Sequence, residues 1–364
     1  MPLPVSITSL AMAHPAKGAS SFRTVRGYTV VAALLDEAAF FRSEDSANPD
    51  VEILDALRPA MATLPGAVLL VASSPYARRG IVWDAHKRYF GKDSSILVWQ
   101  ADTRTMNPSV PQSFIDEQYE RDPASAAAEY GALFRTDCEA LLTLEIVEAV
   151  TISGRYELPR MSATSYLAFV DPSGGSADSM TLAIAHRDKD GRAVLDAVRE
   201  RKPPFSPEAV VEEFSLLLKD YGVHRVSGDR YGGEWPRERF RIHGIGYVPA
   251  EKTKSDFYRD CLPLFNSGKI ELLDLPRLAT QFVGLERRTA RSGKDSIDHA
   301  PGAHDDLANA CAGALVLVGA KAPMIISDAV LARFARRLSP GAAQQQNRDQ
   351  VLAHYLNNRK CNAN

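Results

Sequence analysis

The chain has 364 residues and carries 43 Lys and Arg against 45 Asp and Glu, so its length suits about two domains and its charge gives no global pull toward nucleic acid. Ordinary apolar and charged fractions (45% and 24%) indicate a soluble globular protein, no apolar run approaches the ~18–20 residues of a membrane span, and the start, Met1 to Ser6, lacks the basic and apolar regions of a signal peptide. Cys138, Cys261, Cys311 and Cys361 are scattered without CxxC spacing, so neither a zinc site nor a disulfide framework is indicated, and a reducing cytoplasm is expected.

In chain order, Tyr28 to Leu35 is an unbroken apolar, β-branched run that ends in Asp36-Glu37. It has the pattern of a strand buried on both faces of a parallel sheet. Residues 55–63 read as a crossover helix, and Ala67–Ala72 as a second strand that ends in Ser73-Ser74-Pro75. After a turn-rich stretch at 106–111, residues 112–134 are helical in pattern, with Phe114, Ile115, Tyr119, Tyr130 and Phe134 as core candidates. Residues 154–163 form a polar connector, and a domain junction is expected near it. Beyond it the pattern predicts strands at 166–171, 180–186 and 192–199, a helix at 206–221, a strand at 224–229, a helix at 233–242 with Trp235 and Phe240 as core, and a short strand at 245–249. Helices at 254–265 and 275–285 follow, then an apolar helix at 305–319 that buries Cys311. Two hairpin-linked strands after the first, then alternating helix and strand, require a mixed sheet in an α/β fold. The tail after Pro323 is basic, and 327–338 has an amphipathic helical pattern.

Three separated acid sites stand out in this frame: Asp171 before Pro172-Ser173-Gly174-Gly175, Asp229 after Ser227-Gly228, and Asp305-Asp306 before an Ala- and Leu-rich helix. Singly, each has a plain explanation, because an Asp after a strand forms turns and an Asp pair before a helix caps it. Together, two strand-end acids and a helix-start pair can converge on hard divalent cations, and two Mg²⁺ or Mn²⁺ ions ~3.5–4 Å apart are suited to a phosphodiester. Basic residues flank these acids. Arg287, Arg288, Arg291 and Lys294 form an acid-free run, Arg237, Arg239 and Arg241 follow the second site, and Lys252 and Lys254 lie just beyond. All are candidates for phosphate contact. His299 and His304 flank the final acids and are candidates to orient water or phosphate.

On these residues, Tyr166 to Val318 resembles the ribonuclease H-like nuclease domain of large terminase subunits from tailed bacteriophages. The resemblance implies a metal-dependent DNA endonuclease with Asp171 bridging two ions and Asp229 and one of Asp305/Asp306 completing the sites. That family often carries a further acid one turn past the pair, where this chain has Asn309. Upstream, Asp36-Glu37 resembles a Walker B element, and Ser73-Ser74-Pro75 resembles the coupling motif that follows it in terminase motors. Nothing in residues 1–35 fits the P-loop spacing GxxxxGK[ST]. The chain is therefore expected to be the later portion of such a protein, whether through a truncated prophage gene, a misassigned start or a split gene. Its ATPase activity is expected to be lost, with ATP a ligand only of a complete motor.

The expected organisation is a partial P-loop ATPase-type parallel α/β domain over 1–153, a ribonuclease H-like mixed-sheet nuclease domain over 154–322 and a basic tail over 323–364. The implied partners are concatemeric viral double-stranded DNA and, in the family, the small terminase subunit and the portal protein, in the cytoplasm of a bacterial host and without a membrane. An actin-like or sugar-kinase ATPase shares the core topology and an Asp-x-Gly-Gly type turn, but needs a duplicated domain that is absent from the sequence. A non-catalytic prophage remnant is the other alternative, and the retained acids speak against it.

Overall fold

The computed structural model describes residues 29–43, 46–176, 178–230, 233–289 and 295–319. Arg291, Lys294 and the tail lie outside them. The N-terminal part comprises β1 (Ala32–Leu35), α1 (Pro49–Met61), β2 (Val68–Val71), α2 (Gly80–Tyr89), α3 (Thr103–Met106), α4 (Gln112–Arg121), α5 (Pro123–Glu129), β3 (Cys138–Ala140) and α6 (Leu144–Val150). Strands β1 and β2 pair in parallel with α1 as the crossover, as their apolar runs and the intervening pattern predict.

Two details differ from the sequence reading. Strand β1 is not buried on both faces: Leu35 is covered, but Val31 and Leu34, with Val68, Leu70 and Val71 of β2, are exposed. Leu35 packs with Ile53 and Leu57 of α1 and Ile81 of α2, and among the described residues no comparable layer covers Leu34, Val68 and Leu70. The helical stretch over 112–134 is broken between α4 and α5, where Asp122 accepts a hydrogen bond from Ser125 N and Pro123 opens the next helix. Pro favours a first helical turn and disrupts a helix interior, so the stretch restarts there. Ile115 is buried, whereas Phe114 is exposed.

The second part adds β4 (Tyr166–Asp171), β5 (Met180–Arg187), β6 (Ala193–Arg201), α7 (Pro207–Asp220), β7 (Arg225–Gly228), α8 (Trp235–Ile242), β8 (Gly246–Pro249), α9 (Lys254–Asn266), β9 (Ile270–Glu271), α10 (Pro276–Val283), β10 (Leu285–Thr289), β11 (Asp295–His299) and α11 (Asp306–Gly319). The six-stranded sheet has the order β8-β7-β4-β5-β6-β9. Strands β4, β5 and β6 form an antiparallel meander, and β7 and β8 add in parallel beside β4. This is the ribonuclease H-like arrangement, in which the first strand sits at the centre and the C-terminal ends of β4 and β7 lie side by side.

Burial follows the layers. Helices α7 and α8 cover one face with Val211, Phe214, Leu218 and Phe240, while α9, α10 and α11 build the larger core on the other with Phe257, Phe265, Phe282 and Leu315. Helix α11 is apolar on every side and buried nearly throughout, as a helix between a sheet and two further helices must be. Cys311 and Phe240 are fully buried, as expected. Helix α6 contributes Val147 and Val150 to this same core.

Strands β10 and β11 form a hairpin that the sequence reading did not anticipate, and β3 pairs along its outer edge. Glu286 of β10 is fully buried and accepts hydrogen bonds from Tyr76 (2.7 Å), Arg79 (2.9 Å) and Arg288 (3.1 Å). Burial opposes the charge of this carboxylate, yet these donors outweigh it and hold its pKa below the ordinary value. The strand end at Ser73–Tyr76 is thereby fastened to the hairpin.

Candidate metal centre

Asp171 closes β4, and Asp229 follows β7. The parallel register sets Val170 opposite Gly228, so the two acids leave adjacent strand ends together. Gly228 permits this approach, since a Cβ there would lie 2.6 Å from both the Val170 carbonyl oxygen and the Tyr247 hydroxyl. That hydroxyl donates to the Asp229 carbonyl oxygen at 2.6 Å. Helix α11 crosses above β4, where Gly313 rests on the Phe169 ring, and one turn earlier it presents Asn309.

The Asn309 side-chain amide donates to Asp171 Oδ2 at 2.8 Å and to Asp229 Oδ2 at 2.7 Å. One nitrogen therefore spans both carboxylates. Its own Oδ1 is buried without a hydrogen-bond partner among the described residues. Burial and then the neighbouring Asp229 raise the Asp171 pKa well above the usual carboxylate value, against the lowering effect of Asn309. Burial likewise raises that of Asp229, opposed by Asn309 and Lys254. Among the described residues neither acid forms an ion pair with a Lys or Arg, so two partly buried carboxylates share one neutral donor.

The Asp305-Asp306 pair divides. Capping of α11 falls to Gln281, whose Oε1 accepts from Ala308 N at 3.0 Å. Asp305 is thereby free to face Tyr258, which donates to its Oδ2 at 2.8 Å, and Lys254, 3.0 Å from the same oxygen. Asp306 turns toward the loop after β4. Burial and then Asp305 push its carboxyl up to about 6, and its Oδ2 has no partner among the described residues. Both acids act electrostatically on Asp171, but only Asp305 also acts on Asp229.

The basic candidates are arranged differently from the sequence reading. Strand β10 pairs antiparallel with β11, so Arg287 meets Asp295 across the strands and Arg288 turns inward to Glu286. Acids outside the linear window meet the arginines in space. Lys252 pairs with Asp260 at 2.6 Å. Lys254 is not a surface lysine but a half-buried one held between Asp298 and Asp305. Burial works against its charge, and the two acids outweigh that effect to raise its pKa. On α8, Arg237 pairs with Glu234, and Arg241 is exposed. His299 lies beside Asp298 and Asp305, and their ligand atoms all fall within 4.8 Å of one another. His304 is exposed. In the N-terminal part, Asp36 and Glu37 are exposed at the end of β1, and Ser73 Oγ accepts from Ala39 N at 3.1 Å and donates to the Ser74 carbonyl.

The sequence reading missed what Lys254 and Asn309 do. A helix start at Lys254 was expected, but not the direction of its side chain, and the Thr253–Asp256 capping box that fixes this turn was not read from the sequence. Asn309 was visible only as a departure from an expected acid.

No protein-family model matches the sequence, and no curated protein matches it. The structure is similar to phage large terminases. The nuclease of the large terminase from thermophilic phage G20c matches 47% of this chain over 95% of its own length, at 16% identity and a TM-score of 0.42. The same nuclease with bound magnesium matches with the same coverage at 17% identity and a TM-score of 0.42. The HK97 bacteriophage large terminase matches 82% of this chain over 72% of its own, at 17% identity and a TM-score of 0.41. Among the described residues no helix is long and apolar enough to cross a membrane.

Proposed function

We propose that this chain is a divalent-metal-dependent DNA endonuclease of the terminase type, acting on double-stranded viral DNA during packaging. The observation that carries the reading is the single Asn309 amide nitrogen shared by Asp171 and Asp229. Two partly buried carboxylates this close repel one another, and a cation relieves that repulsion far better than a neutral amide. The donor set fits Mg²⁺ or Mn²⁺, since it consists of hard carboxylate oxygens. Rotation of the Asn309 amide would also turn its unpartnered Oδ1 inward as a third, neutral oxygen ligand. Asp171, Asp229 and Asn309 would thus hold the ion. When bound, such an ion lowers the pKa of water and neutralises charge on a phosphoryl group.

The remaining roles belong to this chain's own residues. The paired strand ends fix the direction of Asp171 and Asp229, and Tyr247 braces the backbone of Asp229. Exposed cations, among them Arg241 on α8, together with Lys252 at the rim beside Asp229, supply attraction for phosphates without reading bases. Cleavage should therefore depend little on base sequence. The N-terminal part, with Asp36, Glu37, Ser73 and Ser74, is read as belonging to a packaging motor. The small terminase subunit and the portal protein are the proposed packaging partners.

Supercoiled plasmid incubated with the purified chain and Mn²⁺ should become nicked and then linear. Plasmid that stays supercoiled with Mn²⁺, or is cut equally well in EDTA, would refute the reading.

A further inference from the structure

Lys254 is anchored at its root more firmly than a phosphate-seeking surface lysine needs to be. Thr253 and Asp256 form a reciprocal capping box around the first turn of α9, and Ser255 Oγ accepts a hydrogen bond from Ile297 N at 2.9 Å, which ties that turn to β11. The ammonium then lies 2.8 Å from Asp298 Oδ1 and 3.0 Å from Asp305 Oδ2. Tyr258, fully buried, holds Asp305 from the other side. Asp298, His299 and Asp305 have the spacing of a cation site, and Lys254 already occupies two of those three residues.

The charges divide accordingly. Asp305 has a fixed cation, whereas Asp171 and Asp229 share only an amide. Seating a divalent ion against Asp305 would require expelling a half-buried ammonium from both of its carboxylates, leaving it unpaired. One divalent ion between Asp171 and Asp229 requires only that the Asn309 amide turn.

We infer that Lys254 is the built-in second cation of this site, so that the acid cluster takes up one divalent ion where the resemblance implies two. Lys254 is then a positioning residue, holding Asp305 and Asp298 in place of a metal. This inference rests on the reading of the cluster as a metal centre.

Isothermal titration of the full chain with Mn²⁺ tests it. The wild type should bind one ion. Lys254→Gln should bind two, because Asp298, His299 and Asp305 are vacated, and Lys254→Arg should stay at one. Two ions in the wild type would overturn the inference while leaving the metal centre intact, and so would one ion in Lys254→Gln. No Mn²⁺ bound by the wild type would refute the metal centre itself and the inference with it. Electron paramagnetic resonance of the Mn²⁺-loaded wild type needs no variant to fold. It should show an isolated ion, and an exchange-coupled pair would overturn the inference.

Discussion

Gly313 sets the height of α11 above the sheet, and Gly313→Ala tests whether that height matters to the acids below. A Cβ at this position would lie 2.4, 2.5 and 2.7 Å from three carbons of the Phe169 ring. Carbon atoms rest comfortably at ~3.5–4.0 Å, so the ring or the helix must give by about 1 Å. The ring has little freedom. Phe169 is fully buried and packs edge-on against Phe257, with ring centroids 5.0 Å apart. Replacing a mid-helix Gly by Ala gains about 1 kcal/mol of helix propensity, while overpacking a tight core costs about 1–3 kcal/mol. With the ring fenced in, the cost should lie near the upper end, for a net loss of about 1–2 kcal/mol. For a chain of this size that is a fall of a few degrees in Tm, at about 2–4 °C per kcal/mol. The functional effect should be larger. Asn309 lies one turn earlier on the same face, and a lift of this size would stretch its 2.8 and 2.7 Å hydrogen bonds out of range. Misplacing a residue that holds the ion or orients its other ligands costs roughly 10–100-fold in affinity. The assay is thermal unfolding with and without saturating Mn²⁺, with metal affinity from titration. A higher Tm in the metal-free variant together with unchanged Mn²⁺ affinity would refute the reasoning, because helix propensity would then have outweighed the contact with Phe169.

Other consequences follow from the acids, from Glu286 and from the strand end at Asp36 and Glu37. Asp171, Asp229 and Asp306 all titrate higher in the folded chain than the ~3.9 of an unfolded Asp. Their contribution to stability is thus fully present below about pH 4 and lost as pH rises through the folded values, about 6 for Asp306. Denaturant titrations of the metal-free chain between pH 4 and 7 should show that decline, Mg²⁺ should reverse most of it, and a rise in metal-free stability across the window would count against the site's electrostatics. Glu286→Ala should destabilise by about 3 kcal/mol, the low end for breaking a buried pair, because Arg79 and Arg288 remain about one-third exposed and recover water. Urea unfolding that shows no loss would mean that the contacts of Glu286 with Tyr76, Arg79 and Arg288 do not stabilise the fold. A non-hydrolysable ATP analogue with Mg²⁺ should show no measurable binding by calorimetry, since a Walker B-like pair acts beside a γ-phosphate that a P-loop positions. Micromolar binding lost in Asp36→Ala would reveal a phosphate cradle in residues 1–35.

Much of the sheet was legible because its strands are short apolar runs bounded by turn residues. Strands β4, β5 and β6 and the strand before Asp229 fall where the pattern puts them. The two strand-end acids were legible for the same reason, since a carboxylate directly after an apolar strand has one end of the sheet to occupy. The buried α11 was announced by apolar residues on all sides. What the sequence hid was pairing at a distance. The segment Leu285–Thr289 alternates poorly and reads as charged, because its buried Glu286 depends on Tyr76 and Arg79, some 210 residues away in the chain. Arg287 looked free because its partner Asp295 lies just beyond the basic run. Lys254 looked like a phosphate ligand until Asp298 and Asp305 came to either side of it. The exposure of β1 was hidden too, since apolar composition says that a strand favours cover and not whether a helix layer packs on each face of its sheet.

On the proposed reading, Asp171 and Asp229 would jointly hold a divalent ion at the site of DNA cleavage. The most direct test is plasmid nicking by the wild type and Asp229→Asn, side by side at saturating Mn²⁺, with matching circular dichroism spectra to show that both are folded. The wild type should relax and linearise the plasmid, and Asp229→Asn should lose that activity because one of the two oxygens now bridged by Asn309 no longer carries charge. Nicking by Asp229→Asn at the wild-type rate would contradict the account.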